Sequence, residues 1–213
     1  MTSPYIIGEA GSCHEESMDR ALRLIEVAGE AGCQAVKFQF WSSPRRMRKR
    51  RRSPSRFAYE TGSLRYSWFP ALKDAAHQED LDFICSVYLP EDVGLVASWV
   101  DALKVSSFEA MDRELTDTCG AYPLPLYCSS GMCTAAEEAT LPPESIHLHC
   151  VSAYPCPLSE ANLGAILPGH GYSDHTRNIH TGGLAVMAGA DYLEVHYRLT
   201  DTSSSCADFA VSL

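Results

Sequence analysis

Strand-like and helix-like stretches alternate along this chain without exception, and that alternation leaves few folds open. Eight short apolar runs read as strands: residues 5–10, 34–40, 82–87, 102–106, 124–129, 145–151, 171–173 and 191–197. Seven amphipathic segments read as helices: 17–31, 64–78, 91–99, 109–119, 135–140, 159–167 and 179–188. In the first helix Met18, Leu22, Ile25, Ala28 and Ala31 share one face, with Ser17 as N-cap and Gly32 as stop. Alternation makes consecutive strands parallel, because each helix must carry the chain back across the sheet. Eight units predict a closed (β/α)8 TIM barrel. The rival, an open nucleotide-binding sheet, needs a G-x-G-x-x-G after the first strand. Gly8-Glu9-Ala10-Gly11-Ser12-Cys13 does not supply one. The expectation is a compact α/β barrel over residues 1–213, one catalytic domain, with its last helix missing.

Composition narrows the setting. At 46% hydrophobic the chain suits one sizeable core. No apolar run approaches the roughly 18 residues of a membrane span, and residues 1–7 are too short and uncharged for a signal peptide. Nine cysteines, an odd number without a Cys-x-x-Cys pair, read as reduced thiols in the cytoplasm. The net charge of −10 describes no part of the chain, because residues 45–52 hold seven of its 17 cations. Outside that octet ten cations face 27 carboxylates, a balance of −17.

A barrel of this kind works at the C-terminal ends of its strands, and alternate strand residues share a face. In Val36-Lys37-Phe38-Gln39-Phe40 the aromatics point to the helices, leaving Lys37 and Gln39 for the barrel axis. Lys104 closes the fourth strand in the same way. Either lysine alone fits a snorkelling surface residue; together, at equivalent depth, they call for a ligand with phosphate or carboxylate groups. Hydroxyls at other strand ends (Ser86, Ser106, Ser107, Ser129, Ser130, Ser173) would complete an oxyanion cradle. Tyr192, Glu194 and His196 share a face on the last strand, and His175 ends the strand before it. Either histidine alone fits a hydrogen-bonded core residue. As a pair on adjacent staves they could share Mn²⁺, Fe²⁺, Co²⁺ or Zn²⁺. His147 and His149 also share a face and read as structural. Glu9, ending the first strand, is a candidate general acid/base.

The same residues carry a resemblance. Ile7-Gly8-Glu9-Ala10-Gly11-Ser12-Cys13-His14 is similar to the opening A-E-I-G-x-N-H motif of the N-acetylneuraminate (sialic acid) synthase family. The resemblance continues through Ala35-Val36-Lys37-Phe38-Gln39, Leu103-Lys104-Val105-Ser106-Ser107, Ser129-Ser130-Gly131-Met132 and His149-Cys150-Val151-Ser152-Ala153-Tyr154-Pro155. It ends with Gly171-Tyr172-Ser173-Asp174-His175-Thr176 and Leu193-Glu194-Val195-His196. The resemblance implies a transferase that condenses phosphoenolpyruvate with an aldehyde, giving a 2-keto acid and phosphate by C–O cleavage. By carry-over, Lys37, Gln39, Ser86, Lys104, Ser107, Ser129 and Ser173 would bind phosphoenolpyruvate. His175 and His196 would hold manganese, with Mg²⁺, Co²⁺, Fe²⁺ and Zn²⁺ also compatible. Glu9 would handle the proton of the water step, and Tyr154 and Asp208 would contact the acceptor. Two departures stand out. Cys13 replaces the motif's Asn, and the family's C-terminal antifreeze-like domain has no counterpart here. In the family that domain closes the partner's barrel and supplies an arginine to the N-acyl group. The expectation is therefore a short member whose acceptor differs from N-acetylmannosamine.

The second strand–helix loop, residues 41–56, carries the basic octet and emerges on the catalytic face. Arg50 and Arg51 are the candidates for drawing in an anionic acceptor, such as a phosphorylated sugar or a nucleotide. The competing readings are a solvated loop and one paired with the protein's own acidic body. Two rival functions remain: a metal-dependent aldolase or lyase using pyruvate, and a nucleic-acid-binding module working through residues 45–52 beside a relict site. No aromatic interleaving supports base stacking, which weakens the second.

Overall fold

The structure, a computed structural model, describes residues 3–52, 57–203 and 211–212. The strands β1 (Tyr5–Gly11), β2 (Ala35–Phe40), β3 (Asp82–Val87), β4 (Ala102–Val105), β5 (Leu126–Ser129), β6 (Ile146–His149), β7 (Gly171–Asp174) and β8 (Tyr192–Arg198) are all parallel and lie in chain order. β8 pairs back onto β1, so the predicted barrel closes. A two-residue strand, β9 (Val211–Ser212), pairs with the end of β8. Among the described residues no helix is long and apolar enough to cross a membrane.

The helices are α1 (Met18–Glu30), α2 (Pro44–Arg51), α3 (Phe57–Thr61), α4 (Phe69–Gln78), α5 (Pro90–Ala97), α6 (Arg113–Gly120), α7 (Ala135–Glu138) and α8 (Thr181–Met187). α1 forms where expected, with Ser17 Oγ accepting from the Arg20 amide, but its buried face is rotated: Ala21, Leu24, Ile25, Val27 and Ala28 are buried, whereas of the expected face Met18 and Leu22 are only half-buried and Ala31 is exposed. Two further expectations fail. Residues 159–167 form two 3-10 turns, Leu158–Glu160 and Leu163–Ala165, instead of a helix. Asn162 between them has a left-handed φ of 48°, and Gly164 is a poor helix former in the second turn, so no α-helix propagates. The basic segment, in turn, is mostly helical where a loop was expected. Ser43 caps α2 by accepting from the Arg46 amide, and Pro44 has its φ pre-set for the first turn. Met47 anchors the helix by packing among Trp41, Tyr88 and Leu89.

Phe38 and Phe40 lie in the large apolar layer between strands and helices, as expected. Inside the barrel a second, smaller apolar layer is built from Ile7, Ala35, Ile84, Ala102, Tyr127 and Leu148, with Tyr192 packed on it. Two residues further along the same strands stand Glu9, Lys37, Ser86, Lys104, Ser129 and Glu194, all buried. Gly171 fits this interior because a Cβ there would meet the Tyr192 carbonyl at 2.5 Å and Leu148 at 2.7 Å. At the end of β1 the register with β2 jumps from Glu9–Lys37 to Gly11–Phe38. Gly11 absorbs this bulge at φ 52°, and a Cβ there would lie 2.9 Å from Glu9 Oε1.

Candidate active site

The C-terminal strand ends open into a cavity of about 480 Å³. Its floor is set by the pairing register. Glu9 lies beside both Lys37 and His196, Gln39 beside Ser86, Ser86 beside Lys104, and Ser173 beside Glu194. Lys37 Nζ is 2.6 Å from Glu9 Oε2 and 3.3 Å from Glu194 Oε2, and donates to Ser86 Oγ at 3.1 Å. Lys104 Nζ donates to Ser129 Oγ at 2.6 Å and lies 4.0 Å from Glu194 Oε2. Ser173 Oγ donates to Glu194 Oε1 at 2.7 Å.

These contacts separate the two carboxyls electrostatically. Burial pushes Glu9 upward, and Lys37 only partly offsets it. Burial acts on Glu194 in the same sense, but Lys104 and Lys37 together outweigh it and hold that carboxyl well below its usual range. Glu194 is thus the fixed anion, and Glu9 the carboxyl poised to exchange a proton. The lysines diverge as well. Burial opposes charge on both; Glu194 and Glu9 overcome it at Lys37, which is raised, while Lys104 stays lowered.

The histidines face the same cavity. His175 Nδ1 donates to the Val151 carbonyl at 2.6 Å, and His196 Nδ1 to the Asp174 carbonyl at 3.0 Å. A carbonyl can only accept, so in each neutral ring Nε2 is the lone-pair nitrogen. Burial depresses the pKa of His175 to about 3 and of His196 to about 4, which keeps both rings neutral at physiological pH. Their ring centroids are 5.1 Å apart. Tyr154 stacks on His175 at 3.9 Å and donates its hydroxyl to Nε2 at 2.8 Å. The donor chemistry fits a divalent ion held by two imidazoles with open positions for substrate. Among the described residues no group of three or more His, Cys, Asp or Glu side chains is placed to hold a metal.

The rim is set by α2. Arg51 Nε and Nη2 bind the two Glu109 oxygens at 2.8 and 2.7 Å, and its guanidinium lies 4.4 Å over Phe108 and 5.4 Å over Tyr88. Tyr88 donates to Gln39 Oε1 at 3.0 Å, while Gln39 Nε2 donates to the Gly62 carbonyl. Ser107 lines the wall, 3.1 Å from Cys150 Sγ.

The cavity therefore gathers Glu9, Lys37, Gln39, Ser86, Lys104, Ser107, Ser129, Tyr154, Ser173, His175, His196 and Arg51. Arg50 is not among them: it pairs with Asp112, the N-cap of α6. One residue of helix turns a side chain by about 100°, which carries Arg50 away from Arg51 and toward Asp112. Asp208 lies outside the described residues. Cys13 lines the cavity and is disulfide-bonded, contrary to the expectation of thiols throughout. Spacing along a chain does not report which distant cysteines a fold brings together. Three residues were passed over as site residues. Strand alternation already placed Glu194 on the inward face with His196. Tyr88 and Glu109 sit on loops, where no periodicity marks direction.

Fold and cavity together define a closed (β/α)8 barrel with two buried lysines and two neutral imidazoles in one C-terminal pocket. The chain belongs to the NeuB family, whose model matches residues 24–213. It is 28% identical over 231 residues to the N,N'-diacetyllegionaminic acid synthase of Legionella pneumophila, covering 92% of this chain and 64% of that protein. It is 26% identical to a pseudaminic acid synthase of Campylobacter jejuni, covering 98% of this chain and 69% of that one. A crystal structure of the N-acetylneuraminic acid (sialic acid) synthetase of Leptospira borgpetersenii, in complex with citrate, superposes with a TM-score of 0.88. That pair shares 27% identity, over 99% of this chain and 79% of the other. The chain spans about two thirds of the length of the curated relatives it matches.

Proposed function

We propose that this barrel condenses phosphoenolpyruvate with a sugar-derived aldehyde, releasing phosphate and a 2-keto acid. The observation that carries the reading is the placement of the buried Lys37 and Lys104 in one pocket, with hydroxyls from β3, β5 and β7 around them. Buried ammonium groups with serine partners match a substrate bearing both a carboxylate and a phosphate. Relatives named as acid synthases support the same reaction class.

In this reading Lys37, Gln39, Ser86, Lys104, Ser107, Ser129 and Ser173 hold phosphoenolpyruvate with its carbon 3 toward the mouth. Carbon 3 attacks the aldehyde carbon, whose oxygen takes up a proton from solvent, and carbon 2 becomes an oxocarbenium. Water adds to carbon 2, giving up one proton to Glu9 in its ionised form. Collapse of that adduct breaks the carbon–oxygen bond to phosphate, the departing phosphate taking the remaining hydroxyl proton, and leaves the 2-keto acid. Glu194 keeps the lysines charged and fixed while charge redistributes. Tyr154 and Arg51 line the approach of the acceptor. His175 and His196 would hold a divalent ion, Mn²⁺ foremost, which when bound polarises the aldehyde as a Lewis acid.

The test supplies phosphoenolpyruvate, Mn²⁺ and a panel of N-acylated amino-sugar aldehydes while phosphate is measured. Phosphate release in step with loss of one aldehyde supports the reading. Carbon–carbon bond formation from pyruvate, without phosphoenolpyruvate, would replace it with the aldolase reading. Silence with every aldehyde would overturn it.

A further inference from the structure

We propose that the outer face of α2 binds a compact oligophosphate, an anion of two or three linked phosphate groups, at a site separate from the cavity. α2 sorts its cations onto three faces. Arg51 and the buried Met47 turn inward, and Arg51 is neutralised by Glu109. Arg46 and Arg50 lie on a flank, where they pair with Glu91 and Asp112. Arg45, Arg48 and Lys49 recur at i, i+3 and i+4, the spacing of a single helical stripe, and Arg52, the left-handed C-cap, follows at its end. These four line one open groove, and none has an ion-pair partner among the described residues.

Among the described residues Arg48 Nε has no hydrogen-bond partner. Like charges at this spacing repel each other along the helix, and a bound anion relieves that. Three of the four cations are arginines, whose forked donors match phosphate oxygens in pairs.

The size of the stripe selects the ligand. From residue 45 to residue 52 it runs about 10 Å along the helix axis, room for a short run of phosphates. A long nucleic acid would have to pass over a body carrying a balance of −17 outside the octet. No aromatic side chain lies in the stripe to stack a base. Inorganic pyrophosphate and a nucleoside diphosphate share the required chemistry.

The experiment titrates pyrophosphate, and separately ADP, into the protein at fixed ionic strength by calorimetry. The variant Arg45→Gln/Arg48→Gln/Lys49→Gln/Arg52→Asn keeps good helix formers, and puts Asn at position 52, where φ is 49°. The expected result is at least a tenfold loss of affinity for both anions in this variant. Lys37→Met, in samples that circular dichroism shows to be folded, retains pyrophosphate binding on the outer face. Should circular dichroism show the fourfold variant unfolded, Arg45→Gln/Arg48→Gln and Lys49→Gln/Arg52→Asn are each expected to weaken binding. Unchanged pyrophosphate affinity in these variants places any phosphate binding in the cavity and overturns the proposal. So does affinity confined to oligonucleotides and growing with their length, or no binding of either small anion by the unaltered protein.

Discussion

At the level of Ile7, Ala35, Ile84 and Ala102 the barrel interior is apolar, while two residues along each of those strands it carries Glu9, Lys37, Ser86 and Lys104. The two layers share strands, inward direction and near-complete burial. They differ in what burial costs. The lower layer gains from leaving water. The upper layer takes two ammonium groups and two carboxyls out of water, several kcal/mol each, and recovers part of that through contacts at 2.6–4.0 Å. Apolar residues of similar volume would stabilise the barrel as well or better. On the function proposed above, the ionic layer is explained by the substrate it would bind, and the apolar layer by the rigid base it supplies.

The largest effect expected is from Lys37→Met. It leaves Glu9 and Glu194 facing each other without their shared cation, at a cost of about 3–5 kcal/mol in stability. It also removes a substrate contact, and phosphate-releasing turnover is expected to fall about a thousandfold, about 4 kcal/mol of transition-state stabilisation. The double variant Lys37→Met/Glu194→Gln should regain much of the stability and none of the turnover. Urea titration and phosphate release on the same samples decide it. Recovery of both quantities together would mean that the ionic layer serves only the fold.

A sharper contrast lies within β3, where Ile84 and Ser86 are two residues apart. Ile84→Ala opens a cavity in the lower layer and should cost about 2–5 kcal/mol, with turnover per folded molecule unchanged. Ser86→Ala should cost about 1 kcal/mol in stability yet weaken phosphoenolpyruvate binding roughly tenfold. If the two variants shift melting temperature and substrate affinity in the same proportion, the division into layers is wrong.

How much of this was legible in the sequence depends on whether periodicity governs the residue. The barrel and its inward layers follow from alternation with period two, so Lys37, Gln39, Lys104 and His196 could be placed from the chain alone. Glu194 was equally legible, but as a carboxylate among proposed anion-binding groups it fitted no ligand contact. Its role emerges only when two lysines are seen to share it. The basic octet was misread for a physical reason. Seven like charges suggest a loop, but one buried methionine and a Ser-Pro start suffice to make a helix. A helix distributes its side chains around three sides, so Arg51 reached the cavity and Arg50 did not.

The smallest effect at neutral pH separates charge that is paired from a group that is only buried. His14 is fully buried, its ring against Phe38 and Trp68, and the Glu16 amide donates to its Nδ1. Unlike Lys37, it does not keep its charge: burial lowers its pKa from 6.5 to about 4. Above pH 6.5 the ring is neutral in both folded and unfolded chains and contributes no pH dependence. Between pH 6.5 and about 4 the unfolded chain binds the proton and the folded one does not, so stability falls as pH falls. Below pH 4 both forms are protonated and the loss levels off, after about 3 kcal/mol in all. His14→Gln removes this titration. The stability difference between the unaltered protein and the variant, from urea midpoints at pH 7 and pH 4, should therefore shrink or reverse by that amount on acidification. Parallel pH profiles would show that His14 takes up its proton inside the folded barrel, and that burial without an ion-pair partner does not exclude charge there.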